Sequence, residues 1–200
     1  MSSAIEIINR ALTASGEYPL ADLTGTTAAH QVADAHYEAV VGELLSEHAW
    51  RFATTTIDLG ARIAGDPTSR FLYAYYLPGN ALLIEDVRTA DYPVDYDIAA
   101  DKILTNAATG AFAVIRWRPP ETQWPFYFQS LVVYYMKALF YEALAQDYGE
   151  AADARGDAER MRAKARAVDR RQSPLAYSRE SDLAMARRGL WTERDIVTRR

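Results

Sequence analysis

The 200-residue sequence contains no cysteine. A disulfide framework and a thiolate metal site are therefore both excluded, and the composition fits a reducing compartment. Histidine is scarce: His30, His36 and His48 are the full set. None lies three or four residues from another, so no helix face presents a histidine pair to a metal. Glycine-rich phosphate cradles are missing too. Neither GxGxxG nor GxxxxGK[ST] occurs, and Gly60-Ala-Arg-Ile-Ala-Gly65 lacks the Lys-Ser/Thr that would have to follow it. There is no G-x-S-x-G nucleophile elbow. No apolar run approaches the ~18 residues of a membrane span, and Met1–Glu6 has neither the basic start nor the apolar stretch of a signal peptide. From these absences we expect no catalytic residues, no cofactor, no metal and no membrane partner.

Basic residues are sparse in most of the chain. Residues 1–149 hold 9 Lys+Arg against 18 Asp+Glu, whereas residues 150–200 hold 13 against 9. Nucleic-acid affinity comes mainly from clustered Lys and Arg on phosphates. An acidic body with a mildly basic C-terminal part is therefore a poor grip on DNA, although DNA could slide past it.

The hydrophobic pattern orders the chain as two helices, a β-rich middle, two more helices and a tail. Ser3-Ala-Ile-Glu6 has the form of a capping box and opens a helix over about 4–13, with Ile5, Ile8 and Leu12 on one face and Gly16 as its stop. A second helix runs from near Thr27 to Glu47 on a stripe of Ala29, Ala33, Tyr37, Val40 and Leu44, with Trp50 and Phe52 as anchors at its exit. From Ala53 the period changes to two. Phe71, Tyr73, Tyr75 and Leu77 alternate, Pro78-Gly-Asn80 turns the chain, and further short alternations end at Phe112–Trp117, which predicts a small antiparallel sheet or sandwich. Pro119-Pro120 closes that region. A third helix over about 125–148 is apolar nearly all round and so buried on most sides. A fourth, about 150–171, carries only a narrow seam of Ala151, Ala154, Ala158, Met161, Ala165 and Val168. Its alternating spacings of three and four suit a close partner, either another helix or a neighbouring subunit. Gln172-Ser-Pro174 breaks the pattern. The divisions are thus 1–52, 53–120, 121–172 and 173–200.

Two residue groups call for a chemical reading. Asp91, Asp95, Asp97 and Asp101 lie in the β region behind Glu85-Asp86. A glycoside hydrolase needs two carboxylates at a set separation across a cleft, and a cation loop of the EF-hand kind needs a glycine and a closing glutamate that Asp95-x-Asp97 lacks. Solubility on strand edges is the plainer account. The tail has too few apolar residues for a core of its own, yet it contains Tyr177, Leu183, Leu190 and Trp191 together with Arg187 and Arg188. Aromatics and arginine are the usual anchors of interfaces, so the tail reads as a docking arm.

Several segments match a known pattern in order. Ala4-Ile-Glu-Ile-Ile-Asn-Arg-Ala-Leu-Thr-Ala-Ser-Gly-Glu-Tyr-Pro-Leu20, Glu43-Leu-Leu-Ser-Glu-His-Ala-Trp-Arg-Phe-Ala53, Ala74-Tyr-Tyr-Leu-Pro-Gly79, Leu104-Thr-Asn106 and Ile115-Arg-Trp117 resemble the podovirus tail tubular protein A family, the head-to-tail adaptors. The resemblance runs from about residue 4 to 150. It implies an α+β fold, a four-helix bundle with an inserted small antiparallel β-domain and an extended C-terminal arm. It implies a dodecameric homo-oligomeric ring in the neck of a virion, assembled in the host cytoplasm, with the portal protein and the tail nozzle protein as partners. DNA would pass through the lumen without sequence-specific binding. On that view Tyr177, Leu183, Arg187, Arg188, Leu190 and Trp191 are the portal contacts, and Asp91, Asp95, Asp97 and Asp101 are candidates to face the lumen. The alternatives are a cytoplasmic helical binding or regulatory module and a carboxylate-based glycan hydrolase.

Overall fold

The structure, a computed structural model, describes residues 3–65, 69–90 and 92–172. The proposed arm residues from Tyr177 to Trp191, and Asp91, lie outside the described residues.

Helix α1 (Ala4–Ala14) starts on the expected capping box: the Ser3 hydroxyl accepts from the Glu6 amide, and the Glu6 carboxylate accepts from the Ser3 amide. Its buried face is Ile7, Ile8, Ala11 and Leu12. Asn9 then fixes the following loop by exchanging two hydrogen bonds with the Leu20 backbone, at 2.7 and 2.8 Å. Helix α2 (Ala28–Glu47) buries Ala33, Tyr37, Val41, Leu44 and Leu45. A short 3-10 turn, Arg51–Ala53, leads into the strands β1 (Thr54–Asp58), β2 (Ile63–Ala64), β3 (Tyr73–Tyr76), β4 (Ala81–Arg88), β5 (Tyr96–Ala99), β6 (Lys102–Thr105) and β7 (Phe112–Trp117). They form two antiparallel sheets, ordered β1-β7-β4 and β2-β3-β6-β5.

Alternation along β3 and β6 explains how the second sheet is covered on both faces. Tyr75 pairs with Ile103 and Ala74 with Leu104, and successive side chains point to opposite faces. Ile103 joins Ile84, Val87, Ala113 and Ile115 of the first sheet in one shared core. Ala74 and Leu104 instead pack with Phe71 and Ile63 on the far side.

Helix α3 (Phe126–Phe140) ends in a π-helical turn, Tyr141–Ala145, with Gln146 in the left-handed region at φ 53°. Asp147 then caps α4 (Tyr148–Arg171), its side chain accepting from the Glu150 amide at 3.0 Å. The single long third helix expected over 125–148 is therefore an α-helix followed by a wider turn.

The expected four-helix bundle is wrong. The described residues form a mixed α/β fold of four helices and two antiparallel sheets, with seven strands. A bundle needs helices arranged around a common core. Here α3 is a hub: α4, α1 and α2 each pack on it, with no comparable packing among those three in the described residues. The physical reason lies in α4. Its apolar surface is a stripe of alanines wide enough for one neighbour, and its meeting with α2 is made by charged side chains.

Aromatic rings cluster in the helical core where the chain enters and leaves the sheets. Trp50 is 1% exposed, donates Nε1–H to the Leu44 carbonyl at 2.7 Å, and meets Phe128 edge-on with centroids 5.2 Å apart. Trp124 approaches Phe128 from another side at 5.1 Å. Replacing Trp50 by alanine should cost about 3–5 kcal/mol of folding free energy, measured by chemical denaturation. A loss under about 1 kcal/mol would show that this aromatic cluster does not carry the core.

Candidate functional site

The described residues end at Gln172, just past α4. Ala151, Ala154, Ala158 and Ala165 are buried, and Met161 and Val168 are half-buried. Small side chains let two backbones approach closely, and α3 of the same chain occupies this seam. The alanines contribute little each, about 0.8 kcal/mol per buried methyl. α4 is therefore held less by apolar burial than α1 or α3.

The remainder of its attachment is polar and converges on the end of α2. Glu47 accepts from Arg162 at 2.8 Å and from Arg166 at 2.7 Å. Tyr135 of α3 donates to Glu159 at 2.7 Å, and Arg155 pairs with Glu142. In the last turn of the helix, Asp169 is only 2% exposed. Its Oδ1 accepts from the Tyr127 hydroxyl at 2.7 Å and the Arg51 amide at 3.3 Å, and its Oδ2 lies 3.5 Å from His48 Nε2. A carboxylate at a helix C-terminus opposes the macrodipole, so Asp169 stays there because the Tyr127 hydroxyl and the Arg51 amide both donate to it. Burial, followed by the hydrogen bond to Asp169, pushes the Tyr127 phenol well above its ordinary range. Burial likewise lowers the His48 pKa, with the Arg166 and Arg170 cations acting in the same direction and Asp169 in the other. His48 also sits edge-on to Trp50, centroids 4.7 Å apart. The exit of α4 is thus fastened to the centre of the helical core.

A second set of arginines fastens the first sheet to α2. Arg118 forms a fork on Glu38 at 2.7 and 2.8 Å, reaches Glu121 at 2.6 Å, and lies over the Trp124 ring. Arg116 pairs with Glu85 and donates to the Ser46 carbonyl.

The three described members of the acidic set, Asp95, Asp97 and Asp101, do not converge on a single cleft. Asp95, Asp97 and Asp101 are exposed on or beside the edge strand β5. Asp95 borders shallow depressions with Pro93, Val94 and Tyr96, whereas Asp101 borders a different one with Ala64, Gly65 and Leu104. Among the described residues no group of three or more His, Cys, Asp or Glu is placed to hold a metal ion. No described helix is long and apolar enough to cross a membrane.

Sequence reasoning missed the Asp169 network. Its one visible signal was a carboxylate in the last turn of a helix whose neighbours there, Arg170 and Arg171, have the sign the dipole favours.

The His48 environment has a pH consequence. The fold favours the neutral imidazole, while the unfolded chain titrates near pH ~6.5. The unfolded state therefore takes up the proton first, and this part of the stability is complete above about pH 6.5 and is lost as pH falls through and below that value. Unfolding free energy should decline between pH 7.5 and 5.5, and His48→Gln should make that decline shallower. Identical slopes for the two proteins would contradict the assignment. No protein-family model matches the chain, and no curated protein matches it.

Proposed function

We propose that this chain is a structural head-to-tail adaptor of a tailed phage. It is a ring subunit, not an enzyme, that joins the portal to the tail nozzle and lets DNA pass through the ring. The observation that carries the reading is the ordered run of five segments between residues 4 and 150 that resemble the tail tubular protein A family. Single pieces of that kind recur by chance; five in the same order do so far less readily. The reading takes nothing from the bundle expectation, which the fold overturns.

Two features add support. The acidic excess of residues 1–149 suits a lumen that repels phosphate, since DNA affinity depends on cations placed against it. The C-terminal segment carries arginines beside Leu190 and Trp191, the residue types that anchor protein interfaces. In this proposal residues 173–200 contact the portal, copies of the chain close a ring in the virion neck, and the tail nozzle docks on the opposite face.

The test is binding to the purified portal protein of the same phage. Removal of residues 173–200 should weaken binding at least about tenfold, and Trp191→Ala with Arg187→Ala and Arg188→Ala should reproduce most of the loss, as expected of anchor residues worth about 2 kcal/mol or more. Undiminished binding by the truncated chain would contradict the arm assignment, and failure of the intact chain to bind would contradict the adaptor.

A further inference from the structure

Between α1 and α2 lies a groove with an apolar floor and an acidic wall. Ile8 and Ala33 form the floor, and Leu23, 45% exposed, stands at the mouth. Asp34, Tyr37 and Glu38 form the wall. Its volume is about 140 Å³, close to the ~150 Å³ that accommodates one benzene-sized ring. The loop at the mouth is held in place. The Thr27 hydroxyl and His30 Nδ1 are 2.7 Å apart, and Gly25 lies so close over the His30 ring that a Cβ there would come within 2.3 Å of it. A side chain there would force the His30 ring to shift.

We infer that this groove takes the chain's own C-terminal segment, with Leu190 or Trp191 in the apolar floor and Arg187 or Arg188 on Asp34. Three observations on different parts of the molecule carry this. The first is charge. α2 contains four acids (Asp34, Glu38, Glu43 and Glu47) and no Lys or Arg, while residues 173–200 contain six Arg against four acids. Glu38 and Glu47 already hold arginines of this chain, which shows how α2 is used elsewhere. Asp34 pairs with no cation among the described residues. The second is placement. Asp169 fixes the end of α4 beside Arg51 and His48, at the C-terminal end of α2. The groove lies fourteen residues back along the same helix, about 21 Å at 1.5 Å per residue. The third is reach. Leu190 lies eighteen positions beyond Gln172, a stretch of up to about 60 Å when extended, so the segment covers that distance with ample slack. The fit of an apolar pocket with one charged rim to apolar residues that closely follow an arginine pair follows the usual pattern of anchored recognition.

This docking goes beyond the adaptor proposal. If both hold, the groove and the portal compete for the same residues, and the free chain keeps its arm on its own body until a portal displaces it.

The test is hydrogen exchange of the 183–196 region in the full-length protein. Asp34→Lys, at an exposed position, should speed exchange there at least about threefold by raising the undocked population. Arg187→Glu with Arg188→Glu, which leaves the described body unaltered, should do the same. The combination of all three substitutions should restore slow exchange. Wild-type exchange already at the rate of the Arg187→Glu/Arg188→Glu protein overturns the inference, as does protection unaltered by Asp34→Lys. Protection that rises with protein concentration overturns the assignment to the same chain in favour of a second copy. Portal binding is a separate readout: its absence in the wild type removes the adaptor proposal and leaves these exchange rates as they are.

Discussion

Phe128, at the start of α3, is fully buried between Trp50 and Trp124. Trp50 arrives from the exit of α2 and Trp124 from the exit of β7, so this single aromatic contact joins the three parts of the chain. Each indole also closes a polar debt locally: Trp50 Nε1 donates to Leu44, and Trp124 Nε1 to the Pro119 carbonyl at 2.9 Å. Aromatic pairs of this geometry add about 0.5–1.5 kcal/mol beyond area burial. From Phe128, α3 continues through Leu131, Val132, Met136 and Phe140, all without exposure. Among the described residues α1, α2 and α4 pack mainly on α3 and little on one another, so the helices form a hub and not a bundle.

Much of this was legible in the sequence. The capping box at Ser3 and Glu6, the stripe through Tyr37 and Leu44, and the shift to period two after Ala53 each have a local cause and each fall where expected. Features that depend on partners were not legible. Nothing in Tyr141–Ala145 marks a π-helical turn, because the apolar pattern continues through Leu144 with no proline or glycine to stop it. The pairing of β1 with β7 joins segments far apart in sequence, and Thr54–Asp58 has little alternation to reveal it. The number of helices was correct, but number does not say which faces meet.

The candidate site shows the same division. The alanine seam of α4 stands out by its spacing, yet the same spacing serves a neighbouring subunit or a helix of the same chain, and α3 fills it. Asp169 looked like one more charge on a charged helix. Only in three dimensions do Tyr127, the Arg51 amide and His48 gather around it. The consequence is positional: a helix held weakly by alanine burial is pinned at its last turn, so its end is fixed beside α2.

The most direct test of the adaptor account is native mass spectrometry of the full-length chain mixed with its purified portal ring. The account predicts a discrete complex of one closed ring of this chain, dodecameric, on one portal ring, with few partial occupancies once assembly begins. A chain that stays single in the presence of the portal, or that adds to it without reaching a fixed number of copies, would contradict it.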